Sequence, residues 1–360
     1  MKQLFLFFAI LVSFNIQAAI RTVSNNPATL AQFSIIQAAI DASSNGDSVF
    51  VHGSPDNYAG FTILNKQLVI IGPGWSPDKN LPHVATINSA IILSGSGTTG
   101  TEIQGLTTTS TASVTIATLG INNIRFIRNH IVFHQISITP AGTGTISGYL
   151  FEGNWFSDGK ISSNSSFTLQ NFIFQNNIFF MNDCCSSFNI SGFTNTVNVL
   201  FNHNLFYGIS GINNIFSSTD CRFLLITNNI FVRRNATNAV SSTFSNNITF
   251  NTSNNTPWTA NGNIDGGGNV AGQDPQMVAQ ASVNSGSDNA LLDFTIAAGP
   301  ANNSGTDGKD MGLLYDAAGS LNWANSRNSR LPRIFVMNII NPTVAAGATI
   351  NIAVEARTSN

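Results

Sequence analysis

The clearest pattern in the chain is a repeat in which a Phe, two further residues and an Asn precede a pair of apolar residues. Successive Asn residues of this repeat are 25, 23, 27, 25 and 18 positions apart. They are Asn129, Asn154, Asn177, Asn204, Asn229 and Asn247. The period is too long for a meander of hairpins, and the copies are too rich in Phe and Asn for a helical repeat, so the pattern predicts a stacked β architecture.

Each copy of the repeat alternates apolar and polar positions. The residues three and five before the Asn are mostly apolar, as Tyr149 and Phe151 are before Asn154, and the residue two before it is usually polar, as Glu152 is. Alternation with a period of two predicts a strand with one buried face. We therefore expect each coil to contain a strand, an Asn at a sharp left-handed bend, and a second short strand.

Stacking of such coils explains why the same Asn recurs. Parallel coils lie about 4.8 Å apart, so each Asn amide can bond to the Asn of the coils above and below it. A buried amide without a partner costs about 1 to 3 kcal/mol, and a ladder supplies that partner. The six repeated Asn residues are therefore predicted to form a structural ladder.

Two sets of apolar residues do not fit the buried face. The position four before the Asn should face outward, and it is aliphatic in four consecutive copies: Leu150, Ile173, Leu200 and Leu225. The position after the Asn is also apolar: Trp155, Ile178, Leu205, Ile230 and Ile248. An exposed apolar stripe needs a cover. The C-terminal tail, a long loop between coils or a second molecule could supply it, unless the interior has a different register.

The two ends of the chain differ from the repeat. Residues 1–19 combine Lys2, an apolar run and two Ala residues, which is typical of a secretory signal peptide. Residues 32–42 have apolar positions at helical spacing and predict a helix. Residues 20–325 are the predicted solenoid of about ten coils, and residues 326–360 predict a two-strand tail that either covers its last coil or docks elsewhere.

Composition narrows the class of protein. The 360 residues are 42% hydrophobic, which allows a large core and excludes disorder or a disulfide-stapled mini-protein. Only 9% are charged and the net charge is −2, so no feature indicates nucleic acid or an anionic membrane as partner. The chain contains 47 Asn and 30 Gly, residues that favour turns over helix interiors. No later segment is long and apolar enough for a membrane span.

Taken together, these motifs resemble the right-handed parallel β-helix of the pectate-lyase-like superfamily, in particular secreted bacterial members. The resemblance covers roughly residues 25 to 315 and includes the helix at 32–42 and two later segments, DPQMV at 274–278 and GTDGKDMGLLY at 305–315. It implies an all-β fold with an N-terminal capping helix, and a last coil that ends at the GTDG turn. It is a resemblance of fold, and fold does not determine function.

Charged residues collect in one short stretch after the ladder Asn. Four to six residues after it come His134, Asp158, Lys160, Asp183, Arg233 and Arg234. Equal offsets stack in a β-helix, so these side chains should line one edge, with Lys160 and Asp183 as an ion pair. Lys160, Asp158 and Asp183 are the candidate catalytic groups of a lyase, which would use Ca²⁺ or a cation beside its base. The candidate substrate-binding residues are His134, Arg233, Arg234, Trp155 and Tyr207.

The sequence supports a binding protein more than an enzyme. The paired Asp and Gly-His-Gly motifs of polygalacturonases are absent, as are the Arg-bearing motifs of pectate lyases. We therefore expect a secreted or surface-exposed β-helix protein, non-catalytic, that presents a lateral face to polysaccharide and needs no cofactor. The alternatives are a lyase acting on an acidic polysaccharide and an interaction module that forms oligomers through the outer apolar stripe.

Three cysteines remain, Cys184, Cys185 and Cys221. They leave open one bridge from Cys221 to either of the others, or thiols without a catalytic role. Their spacing matches no zinc motif, and no metal site is expected.

Overall fold

A computed structural model describes residues 18–75, 83–133, 135–182, 188–217, 220–315, 322–326, 333–339, 349 and 352–357. The predicted signal peptide lies almost wholly outside this part of the chain. None of the helices in the described ranges is long and apolar enough to cross a membrane.

The chain forms a parallel β-helix of about nine turns, close to the ten that the repeat predicted. Sheet 1 contains eleven strands. They are β1 (Ile20–Val23), β2 (Ser48–Val51), β4 (Val69–Ile71), β7 (Glu102–Gln104), β10 (Arg125–Ile127), β14 (Leu150–Glu152), β18 (Ile173–Gln175), β22 (Val199–Asn202), β25 (Leu224–Thr227), β28 (Thr243–Ser245) and β30 (Ile264–Asp265). All of their pairings are parallel.

Two further long sheets complete each coil. Sheet 2 has eight strands: β5 (Ala85–Ile87), β8 (Leu106–Thr108), β11 (His130–Val132), β15 (Trp155–Ser157), β19 (Ile178–Met181), β23 (Leu205–Gly208), β26 (Ile230–Val232) and β29 (Ile248–Phe250). Sheet 3 has six: β3 (Phe61–Leu64), β6 (Ile91–Ser94), β9 (Val114–Ile116), β12 (Gln135–Ile138), β16 (Lys160–Ser162) and β20 (Ile190–Ser191).

The remaining elements are short. They are the parallel strands β13 (Gly144–Ser147), β17 (Phe167–Gln170), β21 (Thr196–Val197), β24 (Cys221–Arg222) and β27 (Ala239–Val240), the antiparallel pair β31 (Arg333–Ile339) and β32 (Ile352–Arg357), the helices α1 (Ile36–Ala42), α2 (Gln280–Asn284) and α3 (Trp323–Ser326), and the 3₁₀ turns Ser96–Thr98 and Pro257–Thr259. The all-β class, the N-terminal helix and a C-terminal pair of strands are thus confirmed.

Stacked aromatic rings fill the interior, at the positions that the alternation predicted. Phe151 and Phe174 pair in register on adjacent strands of sheet 1, and their ring centroids lie 4.6 Å apart at an interplanar angle of 7°. Phe156 and Phe179 repeat this arrangement in sheet 2, also at 4.6 Å. These separations match the spacing of strands in a sheet, because each coil places the same side chain above its copy. The predicted interior register is therefore the observed one.

The repeated Asn residues form a hydrogen-bonded ladder inside the corner between sheets 1 and 2. In each rung the main-chain N–H and the side-chain Nδ2 donate to Oδ1 of the next Asn at 2.9–3.1 Å. The ladder continues beyond the predicted set to Asn269, which accepts from Asn247. The sequence predicted that the ladder Asn itself would have the left-handed conformation. In the structure the residue before it has that conformation instead, as in Asn176 (φ 55°) and His203 (φ 53°). That geometry turns the ladder Asn inward.

The predicted N-terminal helix is shorter than its apolar pattern. Helix α1 begins at Ile36, because Phe33 lies in an extended segment that bridges to Val23 of β1. Ile36 and Ile40 pack into the interior beside the first strands. At the other end of the interior, Trp258 of the second 3₁₀ turn packs against Phe244.

The segment after the last coil folds back along the solenoid. Residues 277–314, called here the closing segment, cover the outer face of sheet 2 and bury the column that runs from Ile178 to Ile248. Within the closing segment, Gly312 N–H donates to the carbonyl of Asn228 (2.7 Å), and Leu314 N–H donates to Asn176 Oδ1 (2.8 Å). Within the GTDG turn, Thr306 N–H donates to Asn228 Oδ1 (2.8 Å). The turn therefore packs against an earlier coil, whereas the family resemblance placed it at the end of the last one.

Candidate functional site

The predicted charged edge is only partly assembled. Asp158 occupies a left-handed corner after β15 (φ 54°), and its carboxylate accepts from the main-chain N–H of Asn182. Lys160 begins β16, with Nζ 5.7 Å from the centroid of the Phe188 ring. His134 and Asp183 lie outside the described residues, and so does the predicted Lys160–Asp183 pair. Asp158 and Lys160 are thus close in sequence but have different partners.

Two predicted substrate-binding residues are buried, and this corrects the sequence prediction. Arg234 is fully buried, and its guanidinium donates to Asn189 Oδ1 (3.2 Å) and to the carbonyl of Asn214. Tyr207 is fully buried beneath the closing segment and donates to the carbonyl of Ser287 (2.9 Å). Both side chains are held inside the protein, so neither can contact a ligand.

Arg233 is half-buried and also serves the closing segment. It occupies a left-handed corner (φ 55°), and its guanidinium donates to the carbonyl of Asn284 at the end of α2. The similar offsets of the charged residues therefore do not produce one continuous charged edge. Asp158 and Arg233 occupy the same left-handed corner, but Arg233 contacts the closing segment and Arg234, the next residue, is buried.

Trp155 is the centre of a cluster that sequence reasoning found only in part. Its indole stacks on the imidazole of His130 with ring centroids 3.6 Å apart and an interplanar angle of 1°. Its Nε1 donates to Asp288 Oδ1 (2.8 Å), and Trp75 packs edge-on at 5.6 Å. The stacking of His130 on Trp155 follows from their equal positions after the ladder Asn. Asp288 comes from the closing segment, and no local signal in the sequence indicates it.

Burial shifts the pKa of each titratable group in this cluster so that its neutral form is favoured. Burial lowers the pKa of His130 to about 3, which makes its imidazole a weak base, and its Nε2 lies 2.9 Å from Ser157 Oγ. Asp288 is exposed as a residue, but its carboxylate lies against Trp155 and Ser157. Desolvation there, together with the charge of Asp158, raises the pKa of Asp288 to about 6 against the opposing hydrogen bonds. The cluster attaches the closing segment to sheet 2.

No metal site is evident in the described ranges. They contain no group of three or more His, Cys, Asp or Glu residues arranged to hold an ion. Cys221 is a buried free thiol, and burial raises its pKa to about 12, so it lacks the thiolate character of a nucleophile. Cys184 and Cys185 lie outside the described residues.

The outer face of sheet 1 carries the most regular surface feature. Leu150, Ile173, Leu200 and Leu225 pair in register on four consecutive strands and form what we call the aliphatic column. The first three are half-buried and Leu225 is 41% exposed. These residues face outward, as predicted, because their neighbours on the same strands fill the interior.

A second column runs parallel to the first. Glu152, Gln175, Asn202, Thr227 and Ser245 also stack in register, and we call them the polar column. Residues two apart on a strand are separated by about 7 Å, so the two columns lie side by side at that distance. Within the polar column, Gln175 Nε2 donates to Glu152 Oε2 (2.7 Å) and Thr227 Oγ1 donates to Asn202 Oδ1 (3.0 Å).

An exposed aromatic residue borders the aliphatic column. The corner before sheet 1 has left-handed backbone, with Asn171 (φ 55°) and Asn198 (φ 53°) in successive coils. The next coil has Phe223 at the same corner, with φ 55° and a side chain that is 52% exposed. Only Gly and Asn adopt this conformation readily. Phe223 therefore places an exposed aromatic ring beside the aliphatic column.

Comparisons with known proteins add the following findings. No protein-family model matches the chain, and no curated protein matches it. The solved structures that resemble it include a pectate lyase, with 14% identity over 86% of this chain and 97% of the other and a TM-score of 0.36. They also include a pectin methylesterase variant in complex with a hexasaccharide, with 12% identity over 64% and 79% and a TM-score of 0.27. Likeness at this level identifies no family, and the fold assignment rests on the sheet topology.

Proposed function

We propose that this chain is an exported polysaccharide-binding protein whose binding surface is the outer face of sheet 1. The observation that carries the proposal is the register of the two columns, one aliphatic and one polar, over consecutive coils. Sugar rings have C–H faces that pack on apolar side chains and hydroxyl groups that bond to amides and hydroxyls. The pattern of residues 1–19 supports export.

A repeating surface suits a repeating ligand. Each coil adds the same pair of contacts about 4.8 Å further along, so a polymer can engage several coils with equivalent groups. Leu150 and Leu225 are three coil spacings apart, about 14 Å. A second protein would bury about 800 Å² on each side of a standard interface, which is far more than a strip of this length and a width of about 7 Å offers.

The arrangement supports binding more than elimination chemistry. A lyase would need a base beside a cation that neutralises the sugar carboxylate. Of the candidate cations, Arg234 is buried, Arg233 bonds to the carbonyl of Asn284, and Lys160 Nζ lies 5.7 Å from the centroid of the Phe188 ring. We therefore propose the binding function without an enzymatic one.

Affinity retention on a panel of immobilised polysaccharides tests the proposal. Leu200→Asn places a polar group in the middle of the aliphatic column, and we expect it to reduce retention at least about tenfold, as loss of a central contact does. Ile92→Asn is the matched control, because Ile92 is also a half-buried, outward-facing aliphatic residue on a strand, but of sheet 3. Equal retention by the two variants, both folded by circular dichroism, would contradict the assignment to sheet 1.

A further inference from the structure

Charge is scarce on the two columns. From Leu150 to Ser245 their only ionisable member is Glu152, which accepts a hydrogen bond from Gln175. At the N-terminal end of the aliphatic column, Arg125 Nη1 lies 3.2 Å from Glu102 Oε2, so these two charges compensate each other. The strands themselves therefore offer an anionic ligand no uncompensated cation among the described residues.

The borders of the face carry a few charges of both signs. Arg222 precedes Phe223 at the corner beside the aliphatic column. On the other side, beyond the polar column, the closing segment contributes Lys309 and also Asp307, whose carboxylate lies 3.3 Å from His203 Nε2. None of these charges recurs from coil to coil. A glycan with a carboxylate on every residue would require a cation at every coil, because charge pairs weaken rapidly with distance in water.

From this distribution we infer that the ligand is a neutral polysaccharide whose chain runs along the axis of the solenoid. Its C–H faces lie on the aliphatic column and against Phe223, and its hydroxyl or acetamido groups bond to the polar column. This inference rests on the proposed function and specifies its ligand class. It predicts that binding depends on apolar contact and hydrogen bonds and very little on ion pairing.

Retention measured at low and high salt tests the ligand class. The panel contains neutral polymers (cellulose, mannan and chitin) and acidic polymers (polygalacturonate and alginate). We expect at least one neutral polymer to retain the protein, with a change of less than about twofold between low and high NaCl, because screening acts only on charge pairs. The acidic polymers should retain it at least about tenfold less, since the columns supply no cation to pair with their carboxylates.

The other outcomes separate the two claims. Retention on an acidic polymer that falls with salt and is lost in Leu200→Asn would overturn the neutral class and leave the proposed binding face standing. Retention on no polymer would overturn the proposed function itself.

A second variant tests whether a loss of retention could result from misfolding. Phe223→Asn gives this corner the residue that the neighbouring coils have, so the fold should tolerate it, and we expect retention on the neutral polymer to fall at least about fivefold. The matched control is Phe133→Asn, which makes the same change at another left-handed corner (φ 62°), after sheet 2. Unchanged retention in Phe223→Asn would remove this residue from the ligand contact and contradict the inferred position of the chain.

Discussion

At the scale of single residues, the corners of the coils show what the backbone demands. Asn171 and Asn198 occupy left-handed corners at no great cost, because the short Asn side chain tolerates positive φ. Phe223 and Phe133 occupy equivalent conformations with bulky side chains that are 52% and 36% exposed. We therefore expect the strain at these two corners to outweigh the partial burial of the rings.

This strain leads to a prediction about stability. Replacing Phe223 by Asn should raise the free energy of unfolding by about 1 kcal/mol, because the left-handed conformation costs a bulky residue about 1–2 kcal/mol. Urea denaturation measures the change, and Phe133→Asn should give a gain of similar size. A loss of stability in Phe223→Asn would show that its exposed ring contributes to the fold after all.

At the scale of elements, strand β25 shows how the inner and outer faces of sheet 1 differ in burial. In β25, Ile226 is fully buried in the interior while the preceding Leu225 is 41% exposed. A strand alternates its side chains between faces, so neighbours of similar size occupy opposite environments. This pair therefore tests the register directly.

Truncating each residue of the pair should have unequal effects. Ile226→Ala should lower the free energy of unfolding by about 2–5 kcal/mol, because it removes buried methylenes and leaves a cavity between coils. Leu225→Ala should change it by no more than about 0.5–1 kcal/mol, as is usual for an exposed site. Chemical denaturation of both variants provides the measurement, and equal losses would contradict the assigned faces.

Much of each element could be predicted from sequence. The repeat located the strand before each ladder Asn, the buried Phe positions and the outward aliphatic column, because period-two alternation is a local property. It placed the left-handed bend one residue too late, since several residue types adopt that bend and only Asn was counted. It extended α1 back over Phe33, because helical spacing cannot distinguish a helix from an adjacent extended segment that bridges to β1.

At the scale of the whole molecule, the closing segment joins coils that are far apart in sequence. It reaches sheet 2 through Asp288, which accepts from Trp155, 133 residues earlier. Further along, His203 Nδ1 lies 3.1 Å from the carbonyl of Gly312. These contacts involve titratable groups, so docking of the segment should depend on pH.

The two titratable groups that contact Trp155, His130 and Asp288, have pKa values shifted in opposite directions. His130 titrates at about 3 in the folded protein and near 6.5 when unfolded, so the unfolded chain binds more protons between these values and stability falls as the pH falls through them. Asp288 titrates at about 6 when folded and near 3.8 when unfolded, so its contribution rises as the pH falls from 6 to 3.8.

Asp288→Asn should isolate the second effect. The amide oxygen can still accept from Trp155, while the desolvated charge is removed. We therefore expect the variant to melt at a higher temperature than the parent above pH 6, with the difference shrinking towards pH 4. Thermal unfolding at several pH values measures this, and a constant difference across that range would contradict the raised pKa.

The positions of the predicted charged residues also depend on how the whole molecule folds. Asp158 and Arg233 lie four residues after their ladder Asn, Arg234 five and Lys160 six, yet Arg234 is fully buried and Arg233 bonds to the closing segment. Equal offsets predict equal positions only while every coil turns in the same way. Beyond the second strand the coils differ in length and in the segments that pack against them, and local sequence does not encode which distant segment a side chain meets.

The sequence by itself determined the coil: its strands, its interior Phe stacks and its Asn ladder. Each of these features depends on contact between equivalent residues of adjacent coils, and the sequence period alone determines which residues are equivalent. Only the tertiary structure decided which of the two outer apolar columns is covered. The column that contains Trp155 and Ile178 is covered by the closing segment, whereas the aliphatic column keeps Leu225 and its neighbour Phe223 exposed. Burial on the outside of a solenoid depends on where a distant segment returns, and no periodicity specifies that return.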